Sequence, residues 1–144
     1  MCKRFFEDNH EALEVLNDGM MKVFKNISTY QIEKGDFFNW VYTVVRNTAL
    51  DRLKLVRIPP AQELNGITES SLKENPLQLL EWKDLYLLLD SLPPATRAIC
   101  SLFYFEGFSI NDISVRLVVS TGTVKWHLSE TRKKLKPVLK KHFL

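Results

Sequence analysis

At 144 residues and 16.8 kDa the chain is long enough for one domain or two small ones. A hydrophobic content of 45% with 26% charged residues excludes a disordered chain, and no apolar run approaches the roughly 18 residues of a membrane span. The net charge of +3 conceals an asymmetry: five acids and no base from Glu7 to Asp18, then seven Lys or Arg against the single acid Glu130 from Ser120 onward, so that one end suits a basic partner and the other a polyanion.

The first stretch, MCKRFFEDNHEALE, turns acidic where a signal peptide needs an apolar segment, which points to a cytoplasmic protein. Cys2 and Cys100 lie far apart, lack metal-ligand spacing and are expected as free thiols. Residues 9–27 place Leu13, Leu16, Met20, Val23 and Ile27 at three- and four-residue steps, which predicts a helix with one buried stripe. Glu11, Glu14 and Asp18 share another face, and Asp18 precedes Lys22 by four residues, a supportive spacing. Gly19 inside this helix costs about 1 kcal/mol against Ala, which points to a close approach there. Ser28 and Gly35 bound a loop.

Asp36 is placed to cap the next helix, FFNWVYTVVRNTALDRLKL, with Phe37, Val41, Val44 and Thr48 inward, flanked by Trp40 and Val45. Asn39, Thr43 and Arg46 fall roughly opposite, and Arg46, Arg52, Lys54 and Arg57 make its second half basic. Residues 56–75 lose periodicity around Pro59-Pro60, Gly66 and Ser70-Ser71 and are expected to form a flexible linker. Pro76 then opens a leucine-rich helix ending near Leu92, and Pro93-Pro94 starts another, stopped by Gly107. Ser109 caps a third, with Asp112 three residues on as an approximate capping box, and Ser120 caps a fourth. No strand pattern competes. The expected fold is all-α: an amino domain over 1–55, a linker over 56–75, and a four-helix domain with a helix-turn-helix over 76–144.

A helix, a short turn and a capped helix rich in small polar and basic residues suit the DNA major groove. Val124, Leu128 and Leu135 mark the buried side of the last helix, leaving Thr121, Thr123, Lys125, Trp126, Ser129 and Arg132 outward or beside that seam. Lys133, Lys134 and Lys136 supply phosphate contacts, which give affinity without sequence information. His10, His127 and His142 are scattered, and His127 is expected at the surface or toward phosphate. No triad, phosphate loop or metal-spaced cluster is present, so the expectation is a protein without catalytic activity, metal or cofactor. The turn poses a question. Its glycine position is held by Val118, a β-branched residue poorly suited to positive φ. Either Val118 is strained, or the preceding helix runs one residue further and the turn forms at Val119-Ser120. Of the two, the strained turn is the one expected here.

Taken together, LPPATRAICSLFYFEGFSINDISVRLVVSTGTVKWHLSETRKKL resembles the carboxyl DNA-binding domain of sigma-70 family RNA polymerase sigma factors, in particular the extracytoplasmic-function group, with wording closest to members from Bacteroidetes-type bacteria. EALEVLNDGMMKVFKNI resembles that family's polymerase-binding helix, and FFNWVYTVVRNTALDRLK its helix for the minus-ten promoter element. The resemblance implies core RNA polymerase, promoter DNA and an anti-sigma factor as partners, with no membrane insertion. It implies polymerase contact by Glu11, Glu14, Asp18 and Lys22. It implies minus-ten contacts by Tyr30, Phe38, Asn39, Tyr42, Thr43 and Arg46, where aromatic and amide groups suit unstacked bases, although Phe37 and Trp40 are expected to pack. It implies upstream-element contacts by Thr121, Thr123, Lys125, Trp126, Ser129, Arg132 and Lys133. A linker of about 20 residues reaches at most roughly 65 Å, about two duplex turns.

The chain departs from the family in three ways. It lacks the helix-forming segment the family carries upstream, which is expected to expose Phe5, Phe6 and part of the core stripe. Ser114 and Thr131 stand where the family has alanine, and Val118 where it has the turn glycine. Two other readings stay open at this point: a helix-turn-helix regulator acting without polymerase, and an adaptor that binds polymerase without initiating.

Overall fold

The computed structural model describes residues 1–55, 58, 77 and 80–143. Apart from residue 58 the expected linker lies outside the described residues, as does Pro76. The described residues are helical, without a strand, and the chain divides into two compact units, Met1–Val56 and Arg57–Leu144.

The first unit contains α1 (Cys2–Phe5), α2 (Asn9–Asn26) and α3 (Phe37–Lys54), which pack on one another. Asp8 caps α2 by accepting from the His10 amide, and Asp36 caps α3 by accepting from the Asn39 amide, the latter as the sequence predicts. Packing of α2 differs from the expected stripe. The buried residues are Ala12, Val15, Gly19 and Val23, whereas Leu13 is 55% exposed, Leu16 40% and Phe24 67%, with Ile27 also exposed. Helix α2 is thus turned by less than one full residue step from the expected orientation: of the expected stripe Val23 stays buried and Met20 half-buried. The reason lies at Gly19, where a Cβ would meet the Cα and Cγ2 of Val45 at 3.0 Å. The small residues Ala12 and Gly19 let the α3 backbone approach closely, and that contact outweighs burial of the bulkier leucines.

On α3 the inward face is Val45, Thr48, Ala49, Leu50 and Leu53, so it begins later than expected: Phe37 is exposed and Val41 and Val44 are half-buried. Phe5 and Phe6 are buried, contrary to expectation, because the turn of α1 folds them against the other two helices. Apolar surface is left open instead on α2.

The second unit contains α4 (Trp82–Asp90), α5 (Pro94–Tyr104), α6 (Ile110–Leu117) and α7 (Thr121–Phe143). Pro94 opens α5, and Gly107 follows it at φ 71°, the left-handed conformation that ends a helix. Ser109 and Asp112 form a complete capping box at α6. Leu89, Ile99, Leu102, Ile113, Val124 and Leu128 form the dry centre. Arg97, itself buried, reaches Asp90 at 2.7 Å and ties the end of α4 to α5. Cys2 and Cys100 are free thiols. Burial pushes Cys100 up to about 12, so it stays protonated.

Candidate nucleic-acid and polymerase interfaces

The turn between α6 and α7 takes the strained geometry. Val118 lies at φ 56°, ψ 49°, the one non-glycine residue of positive φ among the described residues, and its side chain is 83% exposed. The amides of Val118 and Val119 both donate to the Ser114 carbonyl, closing α6. The Ser114 hydroxyl then donates to the Val119 carbonyl at 2.6 Å. Ser120 accepts from the Thr123 amide at 3.0 Å and starts α7 as predicted.

Six of the seven upstream-element candidates sit on or beside the outward side of α7: Thr121 and Lys133 exposed, Lys125, Trp126, Ser129 and Arg132 half-buried. Thr123 does not. It is 2% exposed, and its hydroxyl pairs with that of Ser120 at 3.0 Å, so it belongs to the helix cap rather than to a base-reading face. His127 is a second correction. It is 4% exposed, with Nδ1 against the Thr96 hydroxyl at 2.8 Å. Positions 124, 127, 128, 131 and 135 recur at three- and four-residue steps, so the periodicity carries this signal and the polar residue type hides it. Desolvation holds the imidazole below its ordinary value, while Glu130 pulls the other way. Thr131 is buried as well, and its hydroxyl donates to the His127 carbonyl at 3.0 Å. Cations of α7 are engaged within the unit: Arg132 Nε donates to the Tyr104 hydroxyl at 3.2 Å, and Lys134 to the Ser91 carbonyl at 2.7 Å. Lys133 pairs with Glu130 at 2.6 Å.

In the first unit the minus-ten candidates divide. Tyr30, Asn39 and Thr43 line one concavity with Gln31, Lys34 and Trp40. Asn39 is fixed there: its side-chain amide donates to Asp36 at 2.6 Å, and its carbonyl accepts from the Thr43 hydroxyl at 2.8 Å. Tyr30 donates to the Gly35 carbonyl at 3.1 Å. Phe37 and Trp40 do not enter the core. They form an aromatic trio with Tyr30, at centroid distances of 5.3 to 5.8 Å, because the core begins a turn later on α3. Phe38 and Tyr42 lie outside this concavity as a separate pair 6.4 Å apart, and Arg46 is half-buried elsewhere on α3.

The polymerase candidates Glu14, Asp18 and Lys22 are exposed and are engaged by charges of α3. Glu14 and Asp18 both face Arg52 of α3, at 3.7 and 3.3 Å, and Lys22 faces Asp51 at 3.9 Å. Asp18 and Lys22 thus pair across helices, with Arg52 and Asp51 of α3. Glu11 is half-buried. These charges occupy one flank of the open side of α2, and Leu13, Leu16, Phe24 and Ile27 occupy the other. Among the described residues no cluster of His, Cys, Asp and Glu could hold a metal ion, and no helix is long and apolar enough to cross a membrane.

Residues 1–57 match the Sigma-70 region 2 family and residues 82–135 the Sigma-70 region 4 family. The ECF RNA polymerase sigma factor SigE of Mycolicibacterium smegmatis is 30% identical over 152 residues, covering 99% of this chain; the chain spans only 57% of that relative's length. The ECF RNA polymerase sigma factor SigW of Bacillus subtilis is 23% identical over 155 residues, covering 97% of this chain and 81% of the relative. Among solved structures, the sigma factor RpoE in complex with the anti-sigma factor NepR from Bartonella quintana aligns with a TM-score of 0.55 at 20% identity, covering 96% of this chain and 87% of that one. That likeness is one of fold.

Proposed function

The chain belongs to the sigma-70 family, in its extracytoplasmic-function group, and from that membership we propose that it joins core RNA polymerase and directs promoter-specific initiation in the cytoplasm, without catalytic activity of its own. The observation that carries this reading is the pairing, in one chain, of a helix-turn-helix with a basic outward helix and a separate helical unit with an open apolar flank. A DNA regulator acting alone needs only the first.

Each surface has a physical role in the proposal. The outward side of α7 enters the major groove of the upstream element, with Lys125 and Ser129 at its centre and Lys133 at phosphate. The concavity of Tyr30, Asn39 and Thr43 takes an unstacked base of the minus-ten element, with aromatic rings for stacking and an amide already oriented. The open side of α2 takes the polymerase: Leu16 and Phe24 supply the buried area, and Glu11, Glu14 and Asp18 the orientation and encounter rate. An anti-sigma factor is proposed as a further partner, because RpoE, a fold relative, is seen with one.

Co-elution of the full chain with purified core polymerase tests the polymerase half of this reading. A complex that survives 0.3 M salt supports an interface with an apolar centre. Failure to associate at any salt concentration leaves only the DNA-binding half.

A further inference from the structure

Trp126 lies on the outward side of α7, half-buried, and its indole meets the His127 imidazole edge to face, with ring centroids 4.9 Å apart and planes at 84°. His127 itself is turned inward. Its Nδ1 is held by the hydroxyl of Thr96, which is 2% exposed and lies in the first turn of α5. The other ring nitrogen, Nε2, is buried without a hydrogen-bond partner. A core position occupied for packing alone is better served by Leu or Phe, which leave no orphaned polar atom. What the histidine adds is orientation. The Thr96 hydroxyl fixes the rotation of the imidazole from a neighbouring helix, and the fixed imidazole restricts the swing of the indole against it.

We infer that Trp126 is a specificity-determining side chain for the upstream element, reading a thymine methyl in the major groove, and that His127 and Thr96 are positioning residues that hold its indole for that contact. The inference rests on the proposed DNA role of α7. The thymine methyl is the one apolar feature the major groove presents, and a half-buried indole on a basic helix offers the apolar surface to meet it. Lys125, the preceding residue, is free to hold phosphate or a guanine edge while the indole reads the methyl. Thr96 and His127 touch no DNA in this arrangement. They set where Trp126 points.

The test uses the full chain. The wild-type protein selects its preferred duplex from a randomised pool, and affinity is measured by fluorescence anisotropy for that duplex and for a scrambled one. Each thymine is then replaced in turn by deoxyuridine, which removes only the methyl. In the wild type one position is expected to lose roughly three- to tenfold in affinity, the scale of one methyl buried from water. Trp126→Leu should abolish the methyl preference at that position. Thr96→Val should weaken the same preference while leaving scrambled affinity and salt slope unchanged, and Thr96→Ser, which keeps the hydroxyl, should retain it. Circular dichroism establishes that each variant is folded at the assay temperature. Methyl preferences unaffected by Trp126→Leu, equal weakening of both duplexes by Thr96→Val, or equal damage from Thr96→Val and Thr96→Ser overturns the inference alone. A wild-type protein that selects no sequence overturns the DNA role of α7 along with it.

Discussion

The hydroxyl of Ser114 donates to the carbonyl of Val119 across a turn whose central residue, Val118, is left-handed. A β-branched residue in that conformation costs about 1–3 kcal/mol, and one neutral hydrogen bond contributes about 0.5–1.5 kcal/mol. Ser114 therefore offsets part of the strain that the valine introduces.

The relationship makes a paired prediction. Val118→Gly should raise the stability of the carboxyl unit by up to about 1 kcal/mol, since relief of strain exceeds the extra freedom given to the unfolded chain. Ser114→Ala should lower it by about 1 kcal/mol, and by less in the Val118→Gly background, because a relaxed turn no longer needs the pin. Urea melts of the full chain, followed by the fluorescence of Trp82 and Trp126 with Trp40 replaced by Phe, measure all four corners of the cycle. A lower midpoint for Val118→Gly contradicts the strained turn.

Gly19→Ala should destabilise the amino unit even though Ala is the better helix former by about 1 kcal/mol. The new methyl meets the Val45 Cα, a backbone atom that cannot rotate away, and overpacking of this kind costs about 1–3 kcal/mol. A thermal melt that rises for Gly19→Ala shows that the two helices part without cost.

The sequence carried the caps, the helix order and the close approach at Gly19, because each depends on residues a few positions apart. It misled where two solutions of equal periodicity competed. Helix α2 has apolar residues on two adjacent faces, and only the packing of Val45 against Gly19 selects the face that turns inward. Residue type points His127 to the surface, and the Val124-Leu128-Leu135 seam leaves Thr123 outward or beside it. The partner that buries His127, Thr96, lies 31 residues away in sequence, and the hydroxyl that engages Thr123 belongs to its own cap. The division of the minus-ten candidates around Tyr30 follows from the loop before α3, whose path no local pattern specifies.

The two flanks of α2 should respond differently to salt. Glu14→Lys with Asp18→Lys should weaken core polymerase binding more at low salt than at high salt, since exposed charges are screened over about 10 Å at 0.1 M. It should cost the fold little, because the ion pairs to Arg52 are largely solvated. Leu16→Ser with Phe24→Ser should weaken binding about equally at both. Titrations of labelled core enzyme at 50 and 300 mM salt separate the two, and loss from the charge reversals alone contradicts an apolar centre.

Burial of His127 makes the carboxyl unit sensitive to acid. In the unfolded chain the ring takes a proton near its ordinary pKa of about 6.5, whereas in the folded chain desolvation delays protonation to lower pH. Stability is therefore complete well above the ordinary histidine pKa of about 6.5 and declines as the pH falls below it. His127→Gln should flatten this decline. Urea midpoints between pH 7.5 and 5.5 that fall equally for both proteins assign the acid sensitivity to other groups.

Run-off transcription with purified core RNA polymerase tests the central claim most directly. On a template carrying the upstream and minus-ten elements selected by the protein, the full chain should yield a transcript that core enzyme alone does not. Asn39→Ala with Thr43→Ala should reduce open-complex formation without loss of core binding, and Lys125→Ala with Ser129→Ala should reduce transcription from that template through the upstream element. A chain that binds core polymerase and both elements yet yields no transcript above core enzyme alone would contradict the account and identify an adaptor rather than an initiation factor.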